Sequence, residues 1–188
     1  MIELICGPMY SGKSTALFQR LERLLLAKKH IELIRPKKDD RGYFTHSDSV
    51  DLNKLCEKFT NLSIVYVKEF TDDMLVTLKR SNFDAIFIDE YFMIPDIHKI
   101  CFQNKFDVYF GGLLATSDCQ LFSETIKILP YCDKIKKLNG VCMNCGNEVA
   151  NYSFATFRKT EDVVVGDEKY KCLCQKCFTK AVLEKGSY

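Results

Sequence analysis

Ile2-Glu-Leu-Ile-Cys6-Gly7-Pro8-Met9-Tyr10-Ser11-Gly12-Lys13-Ser14-Thr15 opens the chain as an apolar run, a turn of small residues and the start of a repeating pattern. After Lys13 the apolar residues Leu17, Leu21, Leu24 and Leu25 recur at helical spacing. The order strand, glycine-containing loop, helix is the context that a phosphate-binding P-loop requires. Gly7 and Gly12 lack the Cβ that would block close backbone approach, so successive N–H groups can turn onto phosphate oxygens at a helix N-terminus. Lys13 would reach the β- and γ-phosphates, and the Ser14 hydroxyl would ligate Mg²⁺. Pro8, Met9, Tyr10, Ser11 and Thr15 complete the loop, and a triphosphate is the first ligand it suggests.

Outward from this unit, Ile31 to Ile34 reads as a second strand that stops at Pro36, followed by a polar loop over 37–49. Asn61 to Val67 reads as a strand, and Thr71 is placed to cap a helix through Arg80 with Asp72 and Asp73 in its positive first turn. Ala85 to Ile88 is an apolar run ending in Asp89-Glu90. Pro95 suits the first turn of a helix through Cys101, and Val108 to Leu113 gives another strand. Short, wholly apolar strands alternating with helices predict an α/β fold, a parallel sheet flanked by helices on both faces. Ligands of such sheets bind beyond the carboxyl ends of the strands, where the P-loop and Asp89-Glu90 both fall. From Asp133 the pattern turns β-rich with paired cysteines. The expected organisation is a P-loop nucleotide-binding domain over 1–132 and a small β-rich zinc-binding domain over 133–188.

The 188 residues suffice for one domain with an appendage. Ten cysteines without a secretory leader pattern indicate a reducing compartment, and the cytoplasm is the expected location. No apolar stretch has the length of a membrane span, so no membrane partner is expected. Twenty-seven basic and 25 acidic side chains are mixed along the chain, for a net charge of +2. That balance gives no electrostatic footprint for a nucleic-acid polymer. Residues 133–188 lean slightly basic, which a solvated surface explains as well as attraction of an anionic ligand does.

Three constellations carry candidate chemistry. Asp89-Glu90 follows an apolar strand as the acidic element of P-loop enzymes does: one carboxylate for the Mg²⁺ hydration shell, and Glu90 to accept a proton from an attacking hydroxyl. An acidic strand end is the plain alternative. Cys142-Met-Asn-Cys145 and Cys174-Gln-Lys-Cys177, with 28 residues between them, supply four thiolates for a closed, structural, tetrahedral Zn²⁺. Redox C-x-x-C pairs are the competing interpretation, and Cys172 lies close enough to confuse the ligand set, but Cys174 with Cys177 keeps the two-residue spacing. Cys6, Cys56, Cys101, Cys119 and Cys132 read as small apolar fillers. Tyr91, Phe92, Phe110, Phe122 and Tyr170 could sandwich a nucleobase, although core packing explains most single aromatics. Tyr170, four residues before a cysteine, would be held by the metal clamp. His30, His46 and His98 share no ligand spacing; His46, in the polar loop, is the least ordinary of them.

The succession GPMYSGKST, IDEYFMIPDI, KLNGVCMNC and GDEKYKCLCQKC resembles the type II thymidine kinases of the cellular and poxviral kind, from Ile2 to about Lys180. The resemblance implies ATP and Mg²⁺ as cofactors, structural Zn²⁺, a deoxynucleoside substrate phosphorylated at its 5′-hydroxyl, and a homo-oligomer, tetramer or dimer. It also implies a lasso, tied down by the zinc, that closes over the nucleoside. By position, Glu90 would be the base, Lys13 and Ser14 would serve the phosphates and Mg²⁺, and Asp89 the Mg²⁺ shell. Arg41 would stand near the reacting hydroxyl and Met9 near the nucleobase. Val163, Gly166 and Tyr170 fall on the lasso, and Cys142, Cys145, Cys174 and Cys177 match the zinc ligands. The chain departs from the family pattern in Asp89-Glu-Tyr-Phe-Met93, and at Ser117, where a phenylalanine usually stacks on the base. Losing that ring removes about 1–3 kcal/mol of stacking unless Phe92 or another ring replaces it. Phosphoryl-transfer residues are kept while base-reading residues differ. Three readings follow: a thymidine kinase, the same kinase with another or broader nucleoside specificity, and an ATP-binding zinc protein without turnover.

Overall fold

The computed structural model describes residues 1–39, 51–157 and 169–185. Six parallel strands form the main sheet: β1 (Ile2–Gly7), β2 (Ile31–Pro36), β3 (Leu62–Val67), β4 (Ala85–Asp89), β5 (Asp107–Leu113) and β6 (Lys134–Lys137), in the order β3-β2-β4-β5-β1-β6. The helices are α1 (Lys13–Leu26), α2 (Leu52–Lys58), α3 (Asp72–Arg80), α4 (Ser123–Ile128) and α5 (Gln175–Lys185). Among the described residues, no helix is long and apolar enough to cross a membrane.

Alternate residues of the strands feed two cores, which explains why the strands read as continuous apolar runs. Leu4, Ile86, Ile88, Val108 and Phe110 pack with Leu75 and Leu78 of α3, Ile97, Ile100 and Ile128. Ile5, Leu33, Phe87 and Tyr109 pack on the other face with Leu17, Leu21 and Leu25 of α1 and Leu52 and Leu55 of α2. The sheet is therefore covered on both faces, as the sequence predicts. Thr71 caps α3 as expected, its hydroxyl accepting from the Met74 N–H at 3.3 Å, with Asp72 and Asp73 in the first turn.

Around Pro95 the structure departs from expectation. In place of the expected helix from Pro95 stands a short 3₁₀ helix, Ile97–Cys101, and another, Tyr91–Met93, precedes the proline. The Pro95 carbonyl accepts from the Phe70 N–H at 2.9 Å, and Asp96 takes a left-handed conformation with φ 62°, so the turn starts only at Ile97. Beyond β6, β7 (Tyr152–Ala155) and β8 (Tyr170–Leu173) form an antiparallel pair. Beside them lies a small apolar cluster that includes Cys142, Ala150, Cys172, Leu173 and Phe178. This region meets the P-loop directly: Ser153 Oγ accepts from the Met9 N–H at 2.9 Å.

Candidate active site

Gly7 ends β1, Pro8 to Ser11 form the turn, and Gly12 precedes α1 with φ 77°. A Cβ on Gly7 would lie 2.6 Å from the Leu138 carbonyl oxygen and 2.7 Å from Ser11 Oγ, so the turn closes only on glycine. Tyr10 is also left-handed, with φ 60°. Ser11 Oγ donates to the Pro8 carbonyl at 2.8 Å and Lys13 Nζ to the same oxygen at 2.6 Å. Lys13, Ser14 and Thr15 form the first turn of α1; the helix start has no side-chain cap, and this turn has no acidic residue. An uncapped helix start with a lysine beside it fits a polyphosphate.

Asp89 ends β4 and is buried, and Glu90 follows it with φ 49° and ψ 44°. A non-glycine residue held in this region costs free energy that the surrounding structure must offset, and such residues cluster at working sites. Burial pushes the Lys13 ammonium below its ordinary pKa, while Glu90 first and Asp89 next pull it back up. One lysine and two carboxylates thus share a site at the carboxyl end of the sheet, as the sequence predicts.

Two charged residues of this site are missed by the sequence reading. Arg35, fully buried in β2, donates from Nη2 to Asp39 Oδ2 at 2.6 Å and lies 3.5 Å through Nε from Asp89 Oδ2. Its guanidinium also lies 5.9 Å from the centre of the Tyr66 ring. The signal was present in Ile31-Glu-Leu-Ile-Arg-Pro36: a lone cation at the carboxyl end of a strand whose one other charged residue, Glu32, lies near its start.

A cavity of about 260 Å³ opens beside Gly7 and Pro8, bordered by Leu114, Thr116, Asn151 and Tyr152. Ser117 belongs to the same turn, and among the described residues its buried Oγ has no hydrogen-bond partner. Phe92 stacks on Phe122 with ring centres 4.5 Å apart and meets Tyr91 edge-on at 6.1 Å. Tyr91 and Phe110 are fully buried, so these two rings pack the core. Tyr170 begins β8 and packs edge-on against Phe157 at 5.7 Å. Arg41, His46, Val163 and Gly166 lie outside the described residues.

The sulfurs of Cys142, Cys145, Cys174 and Cys177 lie within 4.8 Å of one another, and Cys145 Sγ is 3.7 Å from Cys174 Sγ. Tetrahedral zinc with bonds of about 2.3 Å sets sulfur separations of roughly 3.8 Å, so the four thiols fit it. Cys172 is outside the cluster, its sulfur turned toward Ala150 and so close to Gly140 that a Cβ there would collide with it.

The chain matches a known family, described as Thymidine kinase, over residues 1–178. The chain is 30% identical over 185 residues to the thymidine kinase of Sheeppox virus (strain KS-1), an alignment covering 94% of this chain and 96% of that one. Identity to the thymidine kinase of Monkeypox virus is 30% over 188 residues, with the same coverage. It is 29% over 187 residues to that of Amsacta moorei entomopoxvirus, covering 96% of this chain and 98% of the other.

This chain belongs to the thymidine kinase family. Membership agrees with the parallel sheet, the P-loop turn and the four-cysteine cluster, each described above from the residues themselves.

Proposed function

We propose that this thymidine kinase family member transfers the γ-phosphoryl group of ATP to the 5′-hydroxyl of thymidine. The observation that carries the reading is Lys13, buried at the start of α1 and under the combined field of Asp89 and Glu90. The P-loop N–H groups and Lys13 hold the β- and γ-phosphates. Glu90 accepts the 5′-hydroxyl proton as that oxygen bonds to the γ-phosphorus and the bond to the ADP oxygen breaks. Its left-handed backbone turns it away from the strand line followed by Asp89, so neighbouring carboxylates take separate roles. Ser14 and, through a water shell, Asp89 would hold Mg²⁺, which would supply positive charge to offset that of the phosphates. Cys142, Cys145, Cys174 and Cys177 would hold zinc, which would fix the fold around β7 and β8 and leave no open position for chemistry. Arg41, Met9, Val163, Gly166 and Tyr170 are proposed around the nucleoside, in a Mg²⁺-dependent, cytoplasmic homo-oligomer, on the resemblance alone.

A second reading has one observation in its favour. Ser117 places a buried hydroxyl, unpartnered among the described residues, where an aromatic ring is expected, which favours the same chemistry on another nucleoside. Labelled ATP offered with thymidine, deoxyuridine, deoxycytidine and purine deoxynucleosides separates the two. Transfer to thymidine above all others is expected. Glu90→Gln should lower kcat by about 10²–10⁴-fold while nucleotide still binds. Full turnover in that variant would remove Glu90 from the role.

A further inference from the structure

The geometry assigns Arg35 as a positioning residue that sets the affinity of the site for its divalent cation by holding the Asp89 carboxylate. This rests on the reading of Asp89 as a Mg²⁺ residue. Arg35, Asp39 and Asp89 are all almost wholly buried, at 0%, 2% and 2% exposure. Burying three ionised groups gains little over a well-packed apolar trio, so stability alone is a weak reason for the arrangement. Its position is more telling. Arg35 lies one residue beyond Ile34, which pairs with Ile88 of β4, so it faces the strand end that presents Asp89. Asp39 is brought back by a tight turn, its N–H donating to the Pro36 carbonyl at 3.0 Å.

One guanidinium spans Oδ2 of both carboxylates, through Nη2 to Asp39 and Nε toward Asp89. A planar fork can hold two carboxylates in a fixed relation, which a lysine ammonium on a flexible stem does less well. The trio carries a net charge of −1, and Glu90 adds another carboxylate next to it. Arg35 therefore lowers repulsion among the acids without neutralising the site, which keeps its attraction for a dication. Groups that orient a metal-binding carboxylate in this way commonly change metal affinity by about 10- to 100-fold when removed.

The test compares binding of N-methylanthraniloyl-ADP in EDTA and in Mg²⁺, so that turnover is not the readout. For Arg35→Met, affinity in EDTA should stay at the wild-type value because the P-loop is intact. Its enhancement by Mg²⁺ should fall about tenfold or more. Arg35→Lys should lie between that variant and wild type, and Asp89→Asn should lose the enhancement as well. A purely structural role would lower the melting temperature and leave the Mg²⁺ enhancement of the folded fraction unchanged. Wild-type enhancement in folded Arg35→Met, with Asp89→Asn impaired, overturns the assignment. Should Arg35→Met fail to fold, Arg35→Lys decides, and wild-type enhancement there has the same meaning. Full enhancement in Asp89→Asn shows instead that the Mg²⁺ role of Asp89 is wrong, and the inference falls with it.

Discussion

The main sheet and the cysteine-bearing region solve the same problem by different means. The sheet buries apolar side chains on both faces, with Leu4, Leu17, Leu33, Phe87 and Phe110 at 0% exposure. Among the described residues, the second region has a cluster of six buried residues, three of them cysteines, around a two-stranded pair. So small a core offsets little of the conformational entropy of ordering its chain, and zinc on the four cysteines, as proposed, would supply the rest. Stability in the first region is spread over many contacts, whereas in the second the proposed metal would concentrate it on four sulfurs.

The sharpest way to break this comparison is to remove the metal. Structural zinc contributes on the order of 10 kcal/mol in small zinc modules. Chelation, or Cys174→Ser, should abolish hydrogen-exchange protection in β7, β8 and α5 while β1, β4 and β5 stay protected. Simultaneous loss in both regions would show that they are one cooperative unit. A smaller effect is expected from the opposite side. Leu17→Ala empties space between α1 and the sheet, where Gly111 already packs so closely that its Cβ would lie 2.6 Å from Leu17 Cδ2. It should destabilise the sheet by about 2–5 kcal/mol, read as a lower urea midpoint. Zinc content at low denaturant should not change.

The two regions were also unequally legible. β1, β4 and β5 were readable because burial on both faces makes a strand apolar throughout, and the P-loop because its glycines and lysine stand at fixed spacing. β6 was not: Lys134-Ile-Lys-Lys137 is exposed at every position on the sheet edge, where lysines protect against pairing with other chains. α2 and α4, with seven and six residues, are too short for a periodic signal. In the site, Lys13, Asp89 and Glu90 were found because local sequence carries them. Arg35 was harder, since its contact with Asp89 spans two strands and only tertiary pairing reveals it. The four cysteines were legible from spacing, which also set Cys172 aside, and the structure adds that the Cys172 sulfur faces Ala150 and Gly140.

A subtler perturbation tests how the regions communicate. Ser153, in β7, accepts from the Met9 N–H and so ties the P-loop turn to the zinc region. Ser153→Ala should cost about 1 kcal/mol, the usual net value of one hydrogen bond. Its more informative consequence is in coupling. Chelating zinc should weaken nucleotide binding in the wild type, and by less in Ser153→Ala, because one route of transmission is already cut. Equal weakening in both would mean that the P-loop does not depend on this contact.

The smallest expected effect is a pH dependence confined to the sheet region. Glu124 of α4 is buried, which pushes its carboxyl pKa up, but hydrogen bonds from Lys127 and His98 outweigh this and hold it below the ordinary 4.5. Lys127 Nζ lies 2.8 Å from Oε1, and the His98 N–H donates to Oε2 at 3.2 Å, joining α4 to the 3₁₀ turn Ile97–Cys101. Since the folded pKa lies below the unfolded one, the unfolded chain takes up its proton first as pH falls. The stabilisation is therefore complete well above pH 4.5 and is lost as pH falls through that value toward the folded pKa. Wild type should be more stable than Glu124→Gln near pH 7, and the gap in urea midpoints should narrow as pH falls below 4.5 and close once the folded carboxylate is protonated as well. Acid also protonates the zinc thiolates and releases the metal. The comparison must therefore follow sheet unfolding separately from zinc release, and only the sheet signal should differ between the two proteins. A gap that stayed constant down to pH 3 would mean that the His98–Glu124–Lys127 contacts contribute by packing rather than by charge.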